Sequence, residues 1–138
     1  MIETDSHGYD ADMAAAGLAQ LAAEAIRQLN HATIRGQGYQ WPSDIDDVVA
    51  ELFRAAFGMV QALDQARGWL TRAQAAGKVG HDQCGQHGQA PGGDEAAGLI
   101  AEFVAEASAR LAGAARQAAG LGSELGAARA LTSHLTGR

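Results

Sequence analysis

The sequence has little that could cross-link the chain or carry it through a membrane. Its 138 residues include a single cysteine, Cys84, so an internal disulfide is impossible. No run approaches the roughly 18 apolar residues that a membrane-spanning helix requires. The first residues, Met1 to Ser6, are acidic where a secretory signal would be basic and then apolar. These absences predict a cytoplasmic protein that neither enters nor crosses a membrane.

Positive charge is also scarce. Nine arginines and one lysine are scattered among sixteen acidic residues, and the net charge is −6. A surface for nucleic acid needs clustered basic side chains that neutralise phosphates, so nucleic acid is not expected as a partner. The motifs G-x-x-x-x-G-K-[ST], G-x-S-x-G and H-E-x-x-H are absent as well. We therefore expect a non-enzymatic protein without a cofactor.

The chain is rich instead in alanine and in apolar residues at heptad spacing. Phe53, Phe57 and Val60 lie beside the clearest apolar row, so its helix should contact two neighbours and be the most buried one. This helix is expected from about Asp44 to Ala76. Alternating steps of four and three are typical of a long helix with one buried seam. The row consists of Ile45, Val49, Leu52, Ala56, Met59, Leu63, Ala66, Leu70 and Ala73.

Local signals mark where two of the helices should begin and end. Ser43 and Asp46 have the spacing of a capping box at the start of the central helix. An earlier helix, from about Asp10 to Arg35, carries a narrower apolar stripe. Its predicted stop lies at Gly36 and Gly38, because glycine readily adopts the left-handed conformation that ends a helix.

A third apolar row follows near the end of the chain. It consists of Ile100, Val104, Ala107, Leu111, Ala114, Ala118, Leu121, Leu125 and Ala128. Its glycines predict a kink or break near Gly120–Ser123. The three rows together predict an all-α fold, an antiparallel bundle of three long helices in a single domain. We expect residues 1–9 to form a disordered tail and residues 77–93 to form a flexible, Gly-rich loop.

The Gly-rich loop contains a possible metal site. His81, Cys84 and His87 follow the spacing H-x-x-C-x-x-H, and their nitrogen and sulfur atoms are ligands that zinc and copper accept. A structural zinc site needs four ligands, and the neighbouring Asp82 is a poor geometric choice for the fourth. Two interpretations stay open: a solvated polar loop, or a site for a transition metal.

Several short strings resemble a group of uncharacterised, alanine-rich helical proteins of actinobacteria. The strings are Leu29-Asn30-His31-Ala32-Thr33, Tyr39-x-x-Pro42-x-Asp44, Gln61-Ala62-Leu63 with Gln65, and Gly80-His81-Asp82. The resemblance covers about residues 20–82. It implies a short helical protein of a kind often encoded near mobile elements, and it implies no catalytic or binding residue.

These observations favour an interaction or assembly protein. Alanine-rich helices bury little area per turn, so three of them leave apolar surface exposed. We expect a protein partner or self-association, for example a homodimer, through the surface of Phe53, Phe57 and Val60. The alternative is a domain that senses a metal or another ligand through the loop of His81, Cys84 and His87.

Overall fold

The computed structural model describes residues 14–82 and 93–138, and these residues form helices and turns. Helix α1 spans Ala15–Ala32, α2 spans Pro42–Ala75 and α3 spans Gly93–Thr132. A short 3₁₀ turn at Ile34–Gly36 lies between α1 and α2. No strand occurs within these two described ranges. The prediction of an all-α helical bundle is confirmed, and the residues predicted to form a disordered tail, 1–9, lie outside the description.

Helix α1 ends where its glycine signals begin. The Thr33 hydroxyl donates a hydrogen bond of 2.8 Å to the Leu29 carbonyl oxygen, which competes with continuation of the helix. Arg35, Gly36 and Gly38 then have φ values of 55°, 77° and 84°. Glycine adopts this left-handed region at little cost, so the backbone turns away from the helix here. The predicted stop at Gly36 and Gly38 is confirmed, although the α-helix itself ends at Ala32.

Helix α2 begins at a cap different from the predicted one. Pro42 occupies the first helical position, where its fixed φ suits the helix and its missing N–H is not needed. The Asp44 carboxylate accepts hydrogen bonds from the backbone N–H groups of Gln40, at 2.7 Å, and Trp41, at 2.8 Å. The predicted cap at Ser43 is therefore wrong, because Ser43 already lies inside the first helical turn.

Asp44 should make the stability of the α2 N-terminus depend on pH. The backbone hydrogen bond from Trp41, followed by that from Gln40, lowers the pKa of Asp44 below its ordinary value of 3.8. A lowered folded-state pKa stabilises the fold above the unfolded-state pKa, and this stabilisation is lost as pH falls through the folded-state pKa. We expect Asp44→Asn to lower the urea midpoint at pH 7 and to match wild type near pH 2. Urea unfolding followed by circular dichroism tests this, and a difference independent of pH would contradict it.

Helices α2 and α3 pack against each other as an antiparallel pair. Residue numbers fall along α3 as they rise along α2, as three contacts show. The Thr132 hydroxyl donates a hydrogen bond of 2.7 Å to the Asp46 carboxylate. The rings of Phe53 and Phe57 lie against Gly126 and Gly122 of α3. At 34 and 40 residues the two helices are about 50 and 60 Å long, so the contact is extended.

Small residues fill the seam between α2 and α3. The buried residues of both helices are Ala56, Ala73, Val104, Ala115, Ala118 and Gly122. Four of these six lie on α3 and two on α2, and the expectation that α2 is the most buried helix stays a prediction. The predicted row also fails at Met59, Ala66, Ala114 and Leu121, which are exposed. On α3, Ala115 and Gly122 take the seam positions because small residues allow α2 to approach closely.

Helix α3 is continuous through Gly120–Ser123, so no separate fourth helical segment forms there. Gly122 is buried beneath the ring of Phe57, and packing of this kind supports a helix across a glycine whose intrinsic helix propensity is low. The predicted break is therefore absent, and the predicted kink stays a prediction.

Helix α1 contributes little to the packing. None of its residues is buried, and the extensive interhelical contact within residues 14–82 and 93–138 is the one between α2 and α3. The width of the apolar face of α2 had suggested contact with two neighbours. Helix α2 instead packs mainly against α3. The apolar stripe of α1, with Leu18, Leu21 and Ile26, is exposed.

Candidate functional site

The structure describes one of the three candidate metal ligands. The His81 side chain is largely buried; its Nδ1 lies 3.0 Å from an Asp82 carboxylate oxygen, and its ring centroid lies 4.2 Å from that of Phe103. Cys84 and His87 lie outside the described residues. Within the described part of the chain, no three His, Cys, Asp or Glu side chains are placed to hold a metal ion. The metal site and the sensing function built on it stay predictions.

The first residues of the predicted flexible loop pack against α3. Val79 and His81 are half-buried, and an apolar groove of about 210 Å³ lies beside them. Residues 83–92, the rest of that loop before Gly93, lie outside the description. The groove is lined by Leu70, Val79, Gly80, His81, Ile100, Phe103, Val104 and Ala107. Among these lining residues His81 is the titratable one, and the carboxylate of the neighbouring Asp82 lies 3.0 Å from its Nδ1.

The predicted interaction residues lie on one side of the helix pair and are used partly for packing. The rings of Phe53 and Phe57 meet edge to face, with centroids 5.1 Å apart and planes at 71°. A Cβ atom at Gly122 would lie 2.7 Å from the Phe57 ring, and one at Gly126 would lie 2.9 Å from the Phe53 ring. Phe57 keeps 43% of its surface exposed, and Val60 is half-buried. Their role in binding a partner stays a prediction.

Helix geometry defines the second side of the α2–α3 pair. Phe53 and Gly126 each come one position after a seam residue, and the two are in contact. Residues one position after a seam residue therefore lie on the same side of both helices. In an antiparallel pair, residues that directly precede the seam must then lie together on the other side. We call these residues the open face. They are Ala55, Met59, Ala62, Ala66 and Trp69 on α2, and Phe103, Ala107, Ala114, Leu121 and Leu131 on α3.

The open face is apolar and largely uncovered. Its large side chains keep more than half of their surface exposed, from 52% for Phe103 and Leu121 to 60% for Trp69 and 72% for Leu131. On α2 the row carries no charge from Ala55 to Trp69. Apolar patches that extend over two helices mark binding surfaces, whereas isolated exposed apolar residues do not.

Charged and polar residues border this apolar surface on α2 and interrupt it on α3. Glu51 and Arg72 continue the α2 row beyond its two apolar ends, whereas Arg110, Gln117 and Glu124 lie between the apolar residues of the α3 row. All five side chains belong to exposed residues. Glu51 pairs with Arg54 of its own helix at 2.8 Å, and Arg110 pairs with Glu106 at 2.9 Å. On α2 this leaves an apolar centre with charged ends, an arrangement typical of protein interfaces.

The sequence contains a second apolar row that marks the open face. Ala55, Met59, Ala62, Ala66 and Trp69 also follow steps of four and three. Met59 and Ala66 had been assigned to the buried seam, which hid this second row. Two parallel apolar rows on one helix predict two packed surfaces, and the structure covers one of them.

Two further observations bear on the class of protein. Among the described residues, no helix combines the length and the apolar character needed to cross a membrane. The cytoplasmic location and the resemblance to actinobacterial helical proteins stay predictions. The chain matches no known protein family, no curated protein and no solved structure.

Proposed function

We propose that this protein is a non-enzymatic helical interaction or assembly protein, and that the open face is its binding surface. The observation that carries the proposal is the uncharged row from Ala55 to Trp69, which lies exposed beside the exposed leucines of α3. Burying apolar area stabilises an association by about 25 cal/mol per Å² before the costs of binding. A surface of this composition is suited to another apolar helix surface.

The chemistry of the surface argues against catalysis. Catalytic groups need neighbours that orient them in a preorganised site. Between Glu51 and Arg72, the α2 row of the open face holds no titratable side chain. The depression of about 530 Å³ beside Phe57 is lined by residues of α2 alone, so polar groups from different elements do not converge there. These features support a binding role.

The proposed binding surface can be tested without a known partner. We expect the folded chain, at every concentration from 0.1 to 50 μM, either to associate or to bind the dye 8-anilinonaphthalene-1-sulfonate. Met59→Glu should reduce both signals, because it places a charge in the apolar row. Analytical ultracentrifugation and dye fluorescence measure the two signals, with helical content checked by circular dichroism. A stable wild-type monomer that binds no dye would exclude this function.

A further inference from the structure

We propose that the open face binds the open face of a second copy of this chain. The two copies are antiparallel, with α2 packed on α2 and α3 packed on α3, and together they form a four-helix bundle. This inference rests on the proposed function and names its partner. It follows from the charges of the α2 and α3 rows, from the pairing of large with small residues, and from the length of the open face.

The charged residues of the α2 and α3 rows are arranged around one point of the helix pair. On α2 the midpoint between Glu51 and Arg72 falls within one residue of Ala62. On α3, Gln117 lies midway between Arg110 and Glu124. Because Phe57 lies beside Gly122, Ala62 and Gln117 stand at the same level of the antiparallel pair. The two sets of opposite charges therefore share a common centre.

A two-fold axis through this centre brings opposite charges together. The axis passes between the two hairpins, parallel to the line from Ala62 to Gln117. Each helix therefore packs against its own copy, which runs in the opposite direction. Glu51 of one copy then faces Arg72 of the other, and Arg110 faces Glu124, each twice by symmetry. Arg72 and Glu124 form no ion pair in the part of the chain that the structure describes. Charges that complement each other in this way set the register and orientation of an interface.

The same axis places two large side chains against small ones. Trp69 of one copy meets Ala55 of the other, and Leu121 meets Ala114. At the two ends of the interface Phe103 meets Leu131, which pairs two large apolar side chains. Large side chains that face alanines can interdigitate, as close packing between helices requires.

The open face is extended along both helices. It runs from Ala55 to Trp69 on α2 and from Phe103 to Leu131 on α3, which are about 20 and 40 Å of helix. A typical specific interface buries about 800 Å² on each partner. The open face directly adjoins the α2–α3 seam, so a second copy bound there extends that core.

A pair of neighbouring substitutions tests the surface. Ala62 and Gln61 are both exposed on α2, but Ala62 lies in the open face and Gln61 does not. We expect the wild-type chain to be a dimer at 20 μM, Gln61→Glu to remain one, and Ala62→Glu to be a folded monomer. Sedimentation equilibrium measures the mass and circular dichroism the helical content. A wild-type monomer, or a dimer unaffected by Ala62→Glu, would overturn the proposal.

A charge reversal tests the antiparallel arrangement. Glu51→Arg and Arg72→Glu should each weaken the dimer about tenfold, because each replaces two attractive pairs by two repulsive ones. The double variant restores both pairs with the charges exchanged, and its dissociation constant should return to within about threefold of wild type. Additive weakening in the double variant would overturn this arrangement of the two copies.

Trp69 separates a failure of this inference from a failure of the proposed function. In a Trp41→Phe background, Trp69 is the only tryptophan, and its emission should shift to shorter wavelength as the protein dimerises. A monomer with solvent-exposed Trp69 would exclude the second copy but leave the face free for another protein. A monomer with shielded Trp69 would mean that the chain covers its own face, for example with α1, and would exclude both.

Discussion

Ala115→Glu is expected to lower the free energy of unfolding by about 3 kcal/mol, because it places an unpaired carboxylate in the α2–α3 seam. Ala115 is 6% exposed, so its side chain is enclosed between the two helices. Ala114→Glu, one residue earlier, is expected to change the free energy by less than about 0.5 kcal/mol, since its side chain points to solvent. The two variants have the same composition and the same helix propensity.

The comparison needs a background in which association does not contribute. Both variants are therefore made in the Ala62→Glu chain, and their free energies of unfolding are measured by urea titration. The heptad spacing predicts instead that Ala114→Glu lowers the free energy of unfolding more than Ala115→Glu does, because it places Ala114 in the seam and leaves Ala115 outside it. A larger loss for Ala114→Glu would show that the seam of α3 follows the heptad row and not the row described above.

Gly122→Ala is expected to destabilise the fold by about 1 kcal/mol although alanine is the better helix former. The gain in helix propensity is about 1 kcal/mol, and the overpacking of a tight contact costs about 2 kcal/mol. The added Cβ would lie 2.7 Å from the Phe57 ring, which must move. At Gly120 nothing lies within 4 Å, so Gly120→Ala is expected to stabilise the fold by about 0.5 to 1 kcal/mol.

A second substitution identifies the cause of the Gly122 effect. In a Phe57→Leu background the ring is gone, and Gly122→Ala should then stabilise the chain as Gly120→Ala does. Thermal and urea unfolding of the wild type, the two single variants and the double variant give the coupling free energy between the two positions. Equal effects of Gly122→Ala with and without the ring would mean that Phe57 does not determine how closely α2 approaches α3.

Local signals predicted the helices better than they predicted the contacts. Apolar periodicity identified three helical segments, and the positive-φ glycines placed the end of α1, because these depend on neighbours within a few residues. The cap of α2 was missed by two residues, since Asp44 accepts hydrogen bonds from residues before Pro42 and the capping-box pattern pointed to Ser43. A kink or break was expected near Gly120–Ser123, where α3 runs without interruption and the Phe57 ring covers Gly122.

The candidate site, too, could be predicted only in part from the sequence. The sequence predicted a helical interaction protein and named Phe53, Phe57 and Val60, which do lie beside the seam. It could not tell which of two overlapping apolar rows on α2 would be covered, because both satisfy the heptad spacing. A helix that is apolar over a wide arc has more than one possible seam, and only the partner helix selects one.

The amino-acid sequence by itself determined that this chain is helical, where most of its helices lie, and that their surfaces are too rich in alanine to bury much area. The tertiary structure alone decided that α2 meets α3 through Ala115 and Gly122, and that the row from Ala55 to Trp69 remains uncovered. Helix formation depends on short-range periodicity, whereas the rotation of one helix against another depends on how closely particular side chains pack. In this protein the contacts of Phe53 with Gly126 and of Phe57 with Gly122 determine how α2 is rotated against α3.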